Sequence, residues 1–216
     1  DFLPAIKIAK LLAEELSSWE SVVRWCKRDA HLTRISDIAN NDRLYASSVQ
    51  RHQLGDIDAA VGQLRKVLVE SPLHESAFDR IRELLRLRRE FSDLQRVYEE
   101  RLVHVKESKI RVELLNHMAD TALQDQGDVP GGIHYLTRSL ELAPSQRRRL
   151  KQLGELYESQ RQFERALSCY NASIQLTEDP TTLHPLWAHV AHLLEKEVFN
   201  HAGAKRAYLE ALKIRP

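Results

Sequence analysis

Apolar residues recur along this chain at three- and four-residue spacing, in short stripes separated by brief polar breaks. The stretch from Arg147 to Pro180 shows the unit most plainly. Leu150, Leu153, Gly154 and Tyr157 form one stripe, Ser159 to Gln162 break it, and Phe163, Ala166, Leu167, Tyr170 and Ile174 form the next. This spacing predicts two amphipathic helices joined by a tight turn. Gly154 and Ala166 are small where two backbones approach, while Tyr157, Tyr170 and the leucines fill the space to neighbouring helices. One such pair cannot bury its own apolar face, so the pattern calls for copies of itself.

The copies are present. Ile6, Ala9, Leu12, Ala13 and Leu16, then Ser17-Ser18 as an N-cap before Trp19, Val22, Val23 and Cys26, predict an opening pair. Between Ala30 and Asn40 the boundary stays open: Leu32, Ile35, Ile38 and Ala39 suit either a further helical turn or a backward extension of the next helix. A second pair runs through Leu44, Val49 and Leu54 to Gly55-Asp56, then from Ile57 to Pro72. Gly55 suits a left-handed helix end, and Asp56 can accept from the free amides of the helix that follows. Gly127-Asp128 repeats the device. A third pair, from Phe78 to Leu102, has no glycine cap. A fourth runs from about Ile110 to Ala143 with Gly132 at a small position, and a sixth carries Trp187, Ala191, Leu194, Ala204, Tyr208, Ala211 and Leu212. Pro72, Pro144, Pro180 and Pro216 stand 72, 36 and 36 residues apart. The predicted segments are therefore a divergent opening of residues 1–40 and an array of 41–74, 75–109, 110–146, 147–180 and 181–216.

The order L-x2-L-G-x2-Y, A-x3-Y and then a proline resembles the tetratricopeptide repeat (TPR), whose length of about 34 residues is close to the period found here. Leu150 stands where that family prefers tryptophan and Tyr170 where it prefers phenylalanine. The third pair resembles the looser half-TPR variants. The opening pair departs from the pattern, with Val22 and Cys26 where alanine and an aromatic are expected. The resemblance implies an all-α fold, a right-handed superhelical solenoid of about six antiparallel helix pairs, with a concave groove lined by the first helix of each pair. Transferred onto this chain, the groove positions are Tyr45, Val49, Arg80, Glu83, Arg86, His117, Thr121, Lys151, Gln152, Glu155, His189 and Leu193. Their mixture of charge and apolar groups suits a peptide or partner helix, against the alternative of an ordinary solvated face. The Lys, Asn and Arg set with which some TPR modules hold chaperone carboxylate tails is absent from the aligned positions, which carry Tyr45, Val49, Arg80, Lys151, Glu155 and Val190.

Composition narrows the function classes. Among 216 residues 43% are hydrophobic and 29% charged, with seven glycines, which fits helices better than sheets. The balance of 32 basic and 31 acidic residues, formally +1, gives no global pull toward nucleic acid or anionic membrane. The basic clusters Arg86, Arg88, Arg89 and Arg147, Arg148, Arg149, Lys151 are offset by Glu83, Glu90, Asp93, Glu155 and Glu158, so RNA binding ranks last among the readings. No apolar run is long enough to span a membrane. Cys26 and Cys169 have no partner at metal-ligand or CxxC spacing and are read as small core residues. His184, His189, His192 and His201 crowd the last pair without a zinc pattern, and His192 is expected on the small-residue packing position. No nucleophile elbow, P-loop or dinucleotide fingerprint occurs, so neither catalysis nor a cofactor is expected.

The sequence therefore predicts a protein-protein interaction scaffold that binds a peptide or helix of a partner in its groove, with Tyr45, Val49 and Leu193 as anchors and Arg80, Arg86 and Lys151 selecting an acidic or carboxylate-bearing segment. The alternative is self-association through the last helix, where Tyr208, Ala211 and Leu212 look ready to receive a neighbour. The opening at Asp1 suggests a piece of a longer chain.

Overall fold

The computed structural model of the chain describes residues 3–33 and 35–214, and Pro216, the last of the periodic prolines, lies outside them. Twelve α-helices occupy the described residues. They are α1 (Leu3–Glu15), α2 (Trp19–Leu32), α3 (Ser36–His52), α4 (Ile57–Glu70), α5 (Glu75–Leu87), α6 (Phe91–His104), α7 (Ser108–Asp120), α8 (Val129–Leu142), α9 (Arg147–Ser159), α10 (Phe163–Gln175), α11 (Pro180–Lys196) and α12 (His201–Ile214). A π-helical stretch, Thr121–Gln126, continues α7. The segment left open by the sequence divides cleanly: Leu32 closes α2, Ile35 is the N-cap of α3, and Ile38 and Ala39 lie within α3. The helices fall into two compact units that divide between Val105 and Lys106.

The turn inside every pair uses one device. A residue with positive φ ends the first helix and a polar residue follows it to begin the second. Ser17, Gly55, Arg89, Gly127, Arg161 and Phe199 hold φ between 51° and 68°, and Ser18, Asp56, Glu90, Asp128, Gln162 and Asn200 come next. Asp56 Oδ1 accepts from the amide of Ala59, Asp128 Oδ1 from Gly131 and Asn200 Oδ1 from Gly203, at 2.9–3.0 Å. Ser18 occupies its predicted N-cap position, but its hydroxyl donates to Ser21 Oγ rather than accepting from a backbone amide.

The left-handed residues are spaced 38, 34, 38, 34 and 38 apart, so the pairs alternate between a longer and a shorter form. The first helix of each pair carries the difference: α1, α5 and α9 have 13 residues, whereas α3 and α11 have 17 and α7, also of 13, is continued by a 6-residue π-helical stretch. The turn hydrogen bonds differ as well. In the first, third and fifth pairs the amide after the left-handed residue reaches back five positions: Ser18 to Ala13, Glu90 to Leu85 and Gln162 to Tyr157. In the second, fourth and sixth it reaches back six: Asp56 to Gln50, Asp128 to Ala122 and Asn200 to Leu194. The true structural period is two pairs, 72 residues, which is the separation of Pro72, Pro144 and Pro216.

Within each unit the cores form between successive helices. In the first, Ala13, Val22, Val23, Cys26, Ala46 and Val49 pack together, so Val22 and Cys26 are core residues of the opening pair despite their departure from the family pattern. In the second, Leu136, Leu140, Leu150 and Leu153 form one cluster, and Ala166, Tyr170, Leu186, Val190 and Ala191 another. Gly154 shows why a small residue is required: a Cβ there would stand 2.7 Å from Cε1 of Tyr170. The packing position in α11 is Ala191, fully buried, whereas His192 is exposed. The histidine therefore points away from the neighbour helix because it stands one residue, about 100° of helix, past the small position.

A cleft on the fifth and sixth pairs

The positions transferred from the repeat pattern separate into three groups. Val49, Thr121 and Leu193 are buried and line neither the cleft of α9–α11 nor the recess of α4–α6, so they serve packing. Thr121 instead donates its hydroxyl to the carbonyl of His117 at 2.9 Å, and His117 is exposed.

A second group is engaged within the protein. Arg80 Nη1 donates to the Leu44 carbonyl at 3.1 Å and to Ser48 Oγ at 2.9 Å, tying α5 to α3. Glu83 pairs with Arg51 at 2.6 Å, and that contact holds its carboxyl below the ordinary range. Gln152 accepts from Arg149, whose guanidinium also grips both carboxylate oxygens of Asp120 at 2.6 and 2.9 Å. Arg86 and Tyr45 are exposed; burial of the phenol and a hydrogen bond to Glu14 push Tyr45 up to about 12.

The third group, Lys151, Glu155 and His189, meets in one place. They line a cleft of about 830 Å³ formed by α9, α10 and α11. Its floor includes the Tyr170 ring with Leu186 and Pro185. Tyr170 is fully buried, and its hydroxyl donates to Glu158 Oε2 at 2.8 Å. His189 Nε2 lies 2.8 Å from the same oxygen, with its ring edge-on to Tyr170 at 5.1 Å. Burial, reinforced by the Glu158 carboxylate, pushes the Tyr170 phenol far above its ordinary value, so it stays a donor.

Charge is zoned along the cleft. Arg147 and Arg148, in the first turn of α9, form no ion pair with a described residue, and Lys151 one turn on has only a loose contact of 3.7 Å with Glu155. The amino terminus of α9 adds its partial positive charge at the same end. Glu155, Glu158 and His189 lie further along. The sequence pattern missed Arg147, Arg148, Glu158 and Leu186 as cleft residues. For Arg147 and Arg148 the signal was available in the basic cluster before Leu150, which the sequence reading relates only to nucleic-acid binding; Glu158 and Leu186 carried none.

The tetratricopeptide repeat model matches residues 150–183, covering α9, α10 and the start of α11. Residues 150–183 are a tetratricopeptide repeat. Solved structures of similar fold include a MamA protein, 16% identical over 81% of this chain and 91% of that one with a TM-score of 0.50. They also include YrrB, described as a TPR protein with an unusual peptide-binding site, at 16% identity over 81% and 86% with a TM-score of 0.48. A third is pilF of Pseudomonas aeruginosa, at 14% identity over 99% and 92% with a TM-score of 0.47. No curated protein matches the sequence. The fold is an all-α, TPR-like solenoid of helix pairs, and at these identities the likeness concerns fold alone.

Among the described residues no group of three or more His, Cys, Asp or Glu side chains is placed to hold a metal ion. No described helix is long and apolar enough to cross a membrane. Cys26 is fully buried, and its burial pushes the thiol up to about 12; Cys169 is half-buried and raised for the same reason.

Proposed function

We propose that this chain is a protein-interaction scaffold, not an enzyme, and that the cleft on α9, α10 and α11 receives an acidic segment of a partner protein. One observation carries the reading: Arg147 and Arg148 have no counter-ion among the described residues and stand beside a cleft lined by exposed Pro185 and by Leu186, with the buried Tyr170 beneath. A carboxylate of the partner meets the arginines, an apolar side chain covers the floor, and Glu155 rejects an acidic residue further along. Arg80 has no place in this selection because its guanidinium already holds α3 and α5 together. Affinity capture from nuclease-treated lysate with the wild-type chain and an Arg147→Glu/Arg148→Glu variant tests the proposal. A partner held by the wild type and lost by the variant supports it; identical sets overturn it.

A second reading rests on α12, where Tyr208, Leu209 and Leu212 are 37–55% exposed while Ala211 is buried against the helix's own neighbours. This face is smaller than the sequence suggested, since Ala211 is not part of it. Its occupant would be a second copy of the chain, and sedimentation equilibrium with Leu209→Lys decides the matter.

A further inference from the structure

A second recess lies in the other unit. It is about 330 Å³ and is walled by the carboxyl-terminal halves of α4 and α6, with Phe78 of α5 behind. Leu68, Pro72 and Val97 make it apolar, and Val69 on its rim is 81% exposed.

Arg101 is out of keeping with this lining. Its side chain is only 5% exposed and its guanidinium sits 4.1 Å above the Phe78 ring. Nη2 donates to Glu75, but Nη1, shielded from solvent, has no acceptor among the described residues. An unmet N–H on a buried cation is costly, and structures seldom tolerate one without a role. Glu75 is 75% exposed and can follow if the guanidinium tilts toward the recess.

The nature of the missing acceptor follows from the charges around it. Arg65 is paired with Asp93 at 2.7 Å and Arg101 with Glu75, while Glu100, also lining the recess, has no ion pair among the described residues. Another carboxylate would add negative charge where acids already balance the arginines. A neutral carbonyl meets the N–H without that penalty. Glu100 at the rim in turn favours a cation beside it.

We infer that this recess binds a segment of a partner protein in which an aliphatic residue precedes a basic one, the aliphatic side chain filling the pocket while its backbone carbonyl accepts from Arg101 Nη1. The site is separate from the cleft on α9–α11, and its ligand has the opposite charge preference.

The test is a titration of the whole 15N-arginine-labelled chain with three blocked dipeptides, acetyl-Leu-Lys-amide, acetyl-Leu-Glu-amide and acetyl-Gly-Lys-amide, following the Arg101 guanidinium resonances by NMR. Leu-Lys is expected to shift them saturably, with at least fivefold weaker binding for Leu-Glu and for Gly-Lys. Glu100→Gln, a surface change, should bring Leu-Lys and Leu-Glu to within twofold of each other. Arg101→Lys, which keeps the charge and loses the second N–H arm, should weaken Leu-Lys at least fivefold with an unchanged circular dichroism spectrum. Arg101 resonances that do not move, or that move alike with all three dipeptides, overturn the proposal and leave water as the occupant of the recess. Indifference to Glu100→Gln overturns it equally.

Discussion

Replacing Lys10 with methionine should destabilise the first unit severely. Lys10 of α1 donates to Asp29 of α2 at 3.0 Å and also to Asp42 of α3. The two aspartates are 2% and 10% exposed at their side chains and the lysine 17%. Two oxygens, Asp29 Oδ1 and Asp42 Oδ2, have no partner among the described residues. Removing one member of such a buried set costs about 3–5 kcal/mol, because the remaining charges are left uncompensated. Lys10 is partly hydrated, so we place Lys10→Met near the lower bound, about 3 kcal/mol. With a urea m-value of about 1.5 kcal/mol/M, the unfolding midpoint of this unit should fall by about 2 M. The assay is urea denaturation by circular dichroism together with native-state amide exchange in α1–α3. Adding Asp29→Asn and Asp42→Asn should return at least half the loss, since the methionine variant suffers mainly from stranded carboxylates. A loss below about 0.5 kcal/mol for Lys10→Met would refute the reasoning.

Further expectations follow from the same structure. Burial works against the Lys10 cation, but its hydrogen bonds to Asp42 and Asp29 outweigh this and raise its pKa above the ordinary 10.5; its stabilisation should be complete below that value and disappear as pH rises through the folded pKa, seen as an alkaline loss absent from Lys10→Met. Burial, together with neighbouring Asp29, instead raises Asp42 despite the lysine, so Asp42→Asn should be less harmful than Lys10→Met in the same urea assay. Gly154→Ala gains about 1 kcal/mol of helix propensity but crowds Tyr170, and the overpacking should win by about 1 kcal/mol, lowering the melting temperature. Asp56→Ala and Asp128→Ala should each cost about 1 kcal/mol by denaturant unfolding. Cys26, fully buried with its pKa pushed up to about 12, should resist an aromatic disulfide reagent at pH 8 until the protein unfolds.

The helix pairs were legible in the sequence because burial of one helical face writes itself as a stripe, and the described residues form twelve α-helices, as six such pairs require. The turns were half legible. Gly55 and Gly127 announce a left-handed residue, but Ser17, Arg89, Arg161 and Phe199 do the same work with no compositional signal. There the backbone amide that follows closes onto a carbonyl of the preceding helix and holds the conformation, with a side-chain cap added only by Asn200. The alternation of long and short pairs was hidden too, because it lies in about one extra turn at the end of the first helix of alternate pairs, and the apolar stripe does not mark where a helix stops.

The candidate site was legible only in part, for a geometric reason. Repeat positions say which helix a residue belongs to, yet one residue of error is about 100° of rotation. Val49 and Leu193 thus prove buried and Arg80 proves to be a helix clamp, while Lys151, Glu155 and His189 do share a cleft. Ion pairing was the other invisible factor. Arg147, Arg148 and Arg149 are indistinguishable in sequence, but Asp120 engages Arg149, while its two neighbours have no counter-ion among the described residues.

The most direct test of the cleft is selection of twelve-residue peptides from a random display library on the wild-type chain, followed by anisotropy titrations of the enriched peptides against wild type and Arg147→Glu/Arg148→Glu. Enrichment of acidic peptides with an apolar residue, binding at least tenfold more weakly to the variant and losing affinity as salt rises, is the predicted result. Peptides without acidic bias that bind both proteins equally would contradict the assignment of this cleft as the partner site.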